Sequence, residues 1–124
     1  MIWESCYWKD PLLESAVLFK SYSKKEIEES DLVQIEREVF LGFYSIRKLM
    51  DTSKISDKIK QWQLSLVWHP NKGEVDTVHC HNLEDLFDLD KKQQTTKSLR
   101  FICNQIIHSF IFKICLSDDG YFEG

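Results

Sequence analysis

An apolar stripe between residues 32 and 50 constrains the fold of this chain more than any other feature. Six hydrophobic side chains recur there at intervals of three or four residues: Leu32, Ile35, Val39, Phe43, Ile46 and Met50. This is the period of an amphipathic α-helix, and charged residues such as Glu36 and Arg47 fall off the stripe. A helix of this length must bury one long face, so the sequence predicts that other helices pack against it.

A shorter helix is predicted near the N-terminus. Asp10 can cap a helix whose first position is Pro11, and the polar stretch from Ser21 to Lys25 would end it. The chain of 124 residues has only 4 Gly and 2 Pro, which favours a few long elements over many short strands. We expect a single helical domain over residues 1–124, which a C-terminal continuation could extend.

The middle of the chain changes to the two-residue period of a β-strand. Four apolar residues alternate there with polar ones and would share one face: Trp62, Leu64, Leu66 and Trp68. The turn sequence from His69 to Gly73 follows, and Val75 to His81 can return as the second strand. The predicted fold class is therefore mainly α, a helical bundle of three principal helices with a small inserted β-hairpin.

The last helix is predicted to begin near Thr95 or Thr96 and to run to about Leu116. It is apolar on nearly all sides, which is typical of a helix buried in a core or an interface. Three polar side chains recur along it at every fourth residue: Arg100, Asn104 and His108. Burying such groups without partners is costly, so this polar line must have partners or a function.

Three explanations of the polar line are open. It could be a structural network, with Arg100 paired to an acid on the second helix and His108 bonded to a backbone carbonyl. It could form the floor of a cleft between two copies of the helix, or it could face solvent. The residue types also suit RNA cleavage, with His108 as general base, Arg100 binding phosphate and Asn104 orienting it. That scheme requires neither a metal nor a cofactor.

The stretch from Leu99 to Ser109 resembles the last helix of HEPN-type helical domains, which occur in prokaryotic toxins and antiviral systems. The segment from Phe43 to Leu49 is similar to the preceding helix of such bundles. The resemblance implies a homodimer formed through the last helix and a metal-independent ribonuclease built on an Arg and a His. In this chain Phe101 follows Arg100 directly, and seven residues separate Arg100 from His108.

The leading expectation is therefore a HEPN-like domain of a bacterial defence or toxin-type system that could cleave RNA, with the three polar residues as its catalytic groups. The alternative is a non-catalytic protein-interaction or dimerisation module. A third hypothesis is a small metal-binding regulator that uses His69, His79 and His81, because a His-X-His spacing puts two rings on one strand face.

Charge, cysteine content and hydropathy indicate which partners and which cellular compartment to expect. The net charge of -4 argues against a general nucleic-acid binder, although it does not exclude a local basic groove. The four cysteines are a poor disulfide framework, and no signal-peptide pattern follows Met1. The most apolar window, from Ile106 to Leu116, is too short to span a membrane. We expect a cytoplasmic protein with reduced thiols and no membrane association.

Overall fold

The structure, a computed structural model, describes residues 2–74, 78, 82–109 and 111–123. In order, the elements are α1 (Cys6–Tyr22), α2 (Glu29–Met50), α3 (Asp57–Lys60), β1 (Gln63–Trp68), α4 (Leu83–Leu86), β2 (Gln93–Ser98) and α5 (Leu99–Ile107). Helices account for 49% of the described chain, and strands together with isolated β-bridges account for 16%. The fold is therefore a small mixture of α and β structure, and the prediction of a mainly α bundle of three helices is wrong.

The strand pairing differs from the predicted hairpin. β1 lies where the first strand is predicted, but it pairs antiparallel with β2, so that Leu64 faces Lys97 and Trp68 faces Gln93. Most of the predicted return strand, residues 75–77 and 79–81, lies outside the described residues. β2 instead spans Gln93–Ser98 and overlaps the predicted start of the last helix at Thr95 and Thr96, because these β-branched residues favour extended backbone.

The last helix is correspondingly short. Ser98 ends β2 and caps α5, since its side-chain oxygen accepts a hydrogen bond from the backbone N–H of Phe101 at 3.2 Å. α5 ends at Ile107, and residues 111–115 are not helical. The prediction of a helix running to Leu116 is therefore wrong, which agrees with the low helix propensity of the β-branched and aromatic residues beyond His108.

The first two helices begin earlier than predicted. The carbonyl of Ser5 accepts hydrogen bonds from the N–H groups of Trp8 and Lys9, so the first turn of α1 closes before Asp10 can cap it. α2 starts at Glu29, and the carboxylate of Asp31 accepts a hydrogen bond at 3.0 Å from the backbone N–H of the capping residue, Glu28. The predicted helix itself is confirmed.

α2 is the central element, because α1 packs on one side of it and α5 on another. The hydrophobic core at the α2–α5 contact is small. It comprises Met50, Leu99 and Cys103, with Phe43, Ile46, Ile55, Leu64 and Ile107 packed against them. The sheet joins this core at the Leu64 end, whereas Trp68 at the other end of β1 is 45% exposed.

The described C-terminal segment, residues 111–123, returns along α1 and α2. The ring of Phe112 packs on Phe40 at 5.3 Å between centroids, and Phe122 stacks on Phe19 at 6.4 Å. The carbonyl of Gly120 accepts a hydrogen bond from the N–H of Ile27 at 3.0 Å, in a turn where Gly120 has a φ of 81°. Among the helices of the described chain, none has the length and apolar character needed to cross a membrane.

Candidate functional site

The three predicted catalytic residues lie at different heights on α5. Arg100 is in the first turn, Asn104 is in the middle, and His108 follows Ile107 as the capping residue. Eight helical residues correspond to a rise of about 12 Å, so Arg100 and His108 of one copy do not meet over a common point. The structure thus separates the predicted base from the predicted phosphate ligand within one chain.

Arg100 and Asn104 belong to a hydrogen-bonded network that joins α5 to α2. Asp51, the residue that caps the C-terminus of α2, accepts hydrogen bonds from Nη1 of Arg47 at 2.5 Å and from Nη1 of Arg100 at 3.0 Å. The Nε of Arg47 donates to Oδ1 of Asn104 at 3.0 Å. Two of the three predicted residues therefore have partners inside the protein.

The electrostatics of this network centre on Asp51. The hydrogen bond from Arg47, and then the one from Arg100, lower the pKa of the Asp51 carboxyl below its ordinary value of 3.8. A carboxylate at the C-terminus of a helix faces the negative end of the helix dipole, and the two guanidinium groups offset that repulsion. Two cations and one anion leave the network with one net positive charge, and the Arg100 side chain is 41% exposed.

His108 stands apart from the network. Its backbone N–H donates to the carbonyl of Asn104 at 3.1 Å, and the residue is exposed. Its ring forms no hydrogen bond with any residue that the structure describes. The bond from His108 to a backbone carbonyl, which a structural network would include, is therefore not found among those residues. A catalytic role for Arg100, Asn104 and His108 remains a prediction.

Sequence reasoning missed Arg47 and Asp51. Their spacing of four residues at the end of α2 is a local signal, because such side chains are neighbours on a helix. The contact with α5 has no local signal, since the Arg47–Asn104 bond joins residues 57 positions apart.

Of the three histidines proposed as metal ligands, one, His69, lies in the part of the chain that the structure describes. The Nδ1 of His69 lies 3.3 Å from the carbonyl oxygen of Asp88, which is a backbone partner. His79 and His81, with Cys80 between them, lie outside the described residues. Within residues 2–74, 78, 82–109 and 111–123, no three His, Cys, Asp or Glu side chains are grouped in a way that could hold a metal ion.

Charge is strongly segregated in this fold. Residues 58–73 and 91–117, which contain β1, β2 and α5, carry eight Lys and Arg and no Asp or Glu. The rest of the chain carries eight basic residues and all 20 acidic ones. Within these stretches β1 has no charged residue, β2 has one lysine, Lys97, and α5 has one arginine, Arg100, which is paired with Asp51.

A large apolar surface remains in solvent. On α1 and α2, the exposed large apolar side chains are Tyr7, Leu13, Val17, Val33, Leu41 and Tyr44. Trp62 is 57% and Trp68 is 45% exposed, so neither ring is buried in the core.

A groove of about 420 Å³ lies between α1 and α2, on a different side of α2 from α5. Its lining includes Pro11, Glu14 and Leu18 from α1 and Arg37, Leu41 and Gly42 from α2. We call it the α1–α2 groove. Its α1 side carries the carboxylate of Glu14, and its α2 side carries the guanidinium of Arg37, which is 70% exposed and lies 3.9 Å from the carboxylate of Glu38, another lining residue.

Comparison with known proteins does not assign the chain to a family. Its sequence matches no family model and no curated protein, and its fold matches no solved structure.

Proposed function

We propose that this protein is a self-associating interaction module in which two copies bind each other through the α1–α2 groove. The observation that carries the proposal is the groove itself, which opens on a side of α2 away from α5 and is lined by Leu41, an apolar side chain that is 50% exposed.

The groove is suited to pairing with itself. In a twofold dimer the same patch is used by both copies, so α1 of one copy lies against α2 of the other. Glu14 of each copy would then pair with Arg37 of the other, in exchange for or beside the Arg37–Glu38 pair that each copy forms at 3.9 Å. Leu41, which lines the groove and is 50% exposed, supplies apolar surface for burial at the centre.

The location differs from the dimer expected through the last helix. α5 has nine residues, packs one side on α2, and exposes one large apolar side chain, Phe101 at 40%. α1 and α2 expose six large apolar side chains, of which Leu41 lines the groove, and the groove carries both charge signs. The proposal therefore assigns self-association to the α1–α2 groove.

Sedimentation velocity across micromolar concentrations tests this proposal. We expect the wild-type chain to be a dimer and Leu41→Glu to be a monomer, because the variant places a charge at the centre of the interface. Leu13→Glu is the matched control, since Leu13 is 67% exposed on another side of α1 and outside the groove.

A charge exchange sharpens the test. Glu14→Arg alone and Arg37→Glu alone should each weaken the dimer, and the double variant should restore it because the two charges are exchanged together. A monomeric wild type, or equal effects of Leu13→Glu and Leu41→Glu, would overturn the proposal.

A HEPN-like, metal-independent ribonuclease is the second candidate. The observation that favours it is the exposed residue His108 at the end of α5 together with Arg100, which belongs with Arg47 and Asp51 to a network of one net positive charge. A second copy that brought its His108 near this Arg100 would unite a general base with a phosphate ligand.

Cleavage of a mixed RNA pool, with and without a chelator, tests the second candidate. Chelator-resistant cleavage that is lost in His108→Ala supports a ribonuclease. Absence of cleavage by folded wild-type protein contradicts it and leaves the interaction module unaffected.

A further inference from the structure

We infer that a cavity between the N-terminal segment and the end of α2 binds a small anion that carries an aromatic ring, of the class of a nucleoside monophosphate. Its volume is about 470 Å³, within the range of about 300–1,000 Å³ that is typical of small-molecule sites. We call it the end cavity. It shares no lining residue with the α1–α2 groove, so the inference goes beyond self-association. The lining residues are Ile2, Trp8, Lys48, Asp51, Thr52, Ser53 and Lys54.

The turn that follows α2 supplies much of the polar lining, and hydrogen bonds hold this turn in place. The hydroxyl of Thr52 donates to the carbonyl of Leu49 at 2.7 Å and accepts from the backbone N–H of Lys54 at 3.0 Å. The ammonium group of Lys9 on α1 donates to the carbonyl of Lys54 at 2.7 Å. The polar lining is therefore preorganised, which reduces the ordering that a ligand has to impose.

Two hydrophobic side chains form the apolar part of the lining. Ile2 is 8% exposed, and Trp8, in the first turn of α1, is half-buried. Purine and pyrimidine rings stack on aromatic side chains whatever the base, and an indole ring provides a large surface for this contact. The apolar part of the end cavity therefore suits the ring of the ligand.

The lysines of the lining carry positive charge that is available to a ligand. Lys48 and Lys54 are exposed and form no ion pair with any acid that the structure describes. The ammonium group of Lys48 lies 5.5 Å from the centroid of the Tyr44 ring, a contact that leaves its charge in place. An anion in the end cavity therefore does not have to displace a carboxylate from either lysine.

Asp51 is the acid among the lining residues, and its charge is already neutralised. Its carboxylate accepts hydrogen bonds from Arg47 at 2.5 Å and from Arg100 at 3.0 Å. Two guanidinium groups outweigh one carboxylate, so this group of three side chains has one net positive charge. Asp51 therefore does not make the end cavity negative.

Acids outside the lining do not reverse this charge. Glu4 and Asp10 are the acids nearest to Trp8 in sequence, and neither lines the cavity. Two residues along α1 correspond to a turn of about 200°, so Asp10 points away from the side of the helix that carries Trp8. Lys9, whose ammonium group reaches the polar lining, adds a further cation nearby.

A nucleoside monophosphate matches both parts of this lining. Its phosphate carries about 1.5–2 negative charges at neutral pH, which two lysines can balance. The hydroxyl of Ser53, which forms no hydrogen bond with any residue that the structure describes, is a further donor to the phosphate. Its base would stack on Trp8. A neutral ring or an inorganic anion satisfies only one part of the lining.

Titration of the wild-type chain with adenosine monophosphate, followed by the NMR chemical shifts of backbone amides, tests the inference. Adenosine and inorganic phosphate are the comparison ligands, because each carries one part of the probe. We expect adenosine monophosphate to bind at least about tenfold more tightly than either, since one molecule contacts both parts of the lining. The largest shifts should occur at Thr52, Ser53 and Lys54, and the affinity should fall as salt is added.

Charge reversal tests the role of the lysines. Lys48→Glu and Lys54→Glu should each weaken the binding of adenosine monophosphate about fivefold or more, because each places a negative charge beside the phosphate. Lys24→Glu is the matched control and should have no effect. Lys24 is exposed beyond the opposite end of α1 and does not line the cavity.

A second pair of variants separates the ring from the phosphate. Trp8→Leu should weaken the binding of adenosine monophosphate and leave that of inorganic phosphate unchanged, because the lysines are retained. Trp3→Leu should change neither, since Trp3 is 82% exposed and does not line the cavity.

Thermal unfolding of each variant confirms that it is folded. Sedimentation of the same samples reports self-association, so failure of the binding inference is distinguishable from failure of the proposed function. Absence of adenosine monophosphate binding at low salt would overturn the inference. Equal affinities for adenosine monophosphate and adenosine would overturn it too, as would equal losses in Lys54→Glu and Lys24→Glu.

Discussion

The guanidinium of Arg100 and the carboxylate of Asp51 join two helices across 49 residues of sequence, at a distance of 3.0 Å. Asp51 ends α2 and Arg100 lies in the first turn of α5, so this pair fixes where the last helix begins relative to the central one. Arg47 shares the carboxylate and extends the network to Asn104. On α5, Arg100 and Asn104 therefore form hydrogen bonds with residues at the end of α2, whereas the ring of His108 forms none with the residues that the structure describes.

Replacing Asp51 should destabilise the fold in a pH-dependent way. Because the folded-state pKa of Asp51 lies below its ordinary value of 3.8, the carboxylate stabilises the fold above that value. This contribution is lost as the pH falls from there through the lowered pKa. We expect Asp51→Asn to cost up to about 1 kcal/mol at neutral pH, a modest effect because the carboxylate is half exposed and screened.

Urea unfolding of wild type and Asp51→Asn, at neutral pH and below pH 3.8, measures this difference. Asp57→Asn is the control, since Asp57 is 87% exposed and lies 3.9 Å from its lysine. A difference between wild type and Asp51→Asn that stays constant with pH would contradict the role assigned to the carboxylate.

Arg47 and Asn104 should be energetically coupled. Lysine at position 47 keeps a charge near Asp51 but lacks the second donor that reaches Asn104, so Arg47→Lys should cost about 0.5–1.5 kcal/mol. A double-mutant cycle with Asn104→Ala, measured by chemical unfolding, should show that the two losses are not additive. Strict additivity would mean that the hydrogen bond contributes nothing in solution.

Truncation of the small core should have a large effect. Met50 is 2% exposed and packs against Leu99 and Cys103, so Met50→Ala should lower the free energy of unfolding by about 2–5 kcal/mol. Val33→Ala, at a side chain that is 61% exposed, should change it little. Chemical unfolding of both variants gives the comparison, and similar losses in the two would place the core elsewhere.

The thiol of Cys103 should be protected from reagents. Burial raises its pKa, and Cys103 has no exposed surface, so the reactive thiolate is both scarce and inaccessible. In a variant with Cys6, Cys80 and Cys115 replaced by serine, modification by a disulfide reagent should be slow in buffer and fast in denaturant. Rapid labelling in buffer would show that the α2–α5 contact opens readily.

The parts of the fold that local periodicity encodes are predictable from sequence. The step of three or four residues predicts α2, and alternation predicts β1. The partner of β1 is not predictable in this way. Gln93–Ser98 contains no apolar residue, so it lacks the alternation of apolar and polar residues that indicates a strand. In the site, Arg100 and Asn104 can be picked out from the sequence because they are polar residues on an apolar helix. Their pairing with Arg47 and Asp51 cannot, because it depends on how helices distant in sequence pack together.

The direct passage from β2 into α5 has a consequence for how the chain can vary in length. Ser98 is both the last residue of β2 and the N-cap residue of α5. No loop therefore separates the two elements, and an extra residue could not be accommodated there. One insertion after Ser98 would turn α5 by about 100° relative to the sheet and carry Ile102 and Cys103 away from α2. This junction therefore tolerates substitutions but no insertion or deletion.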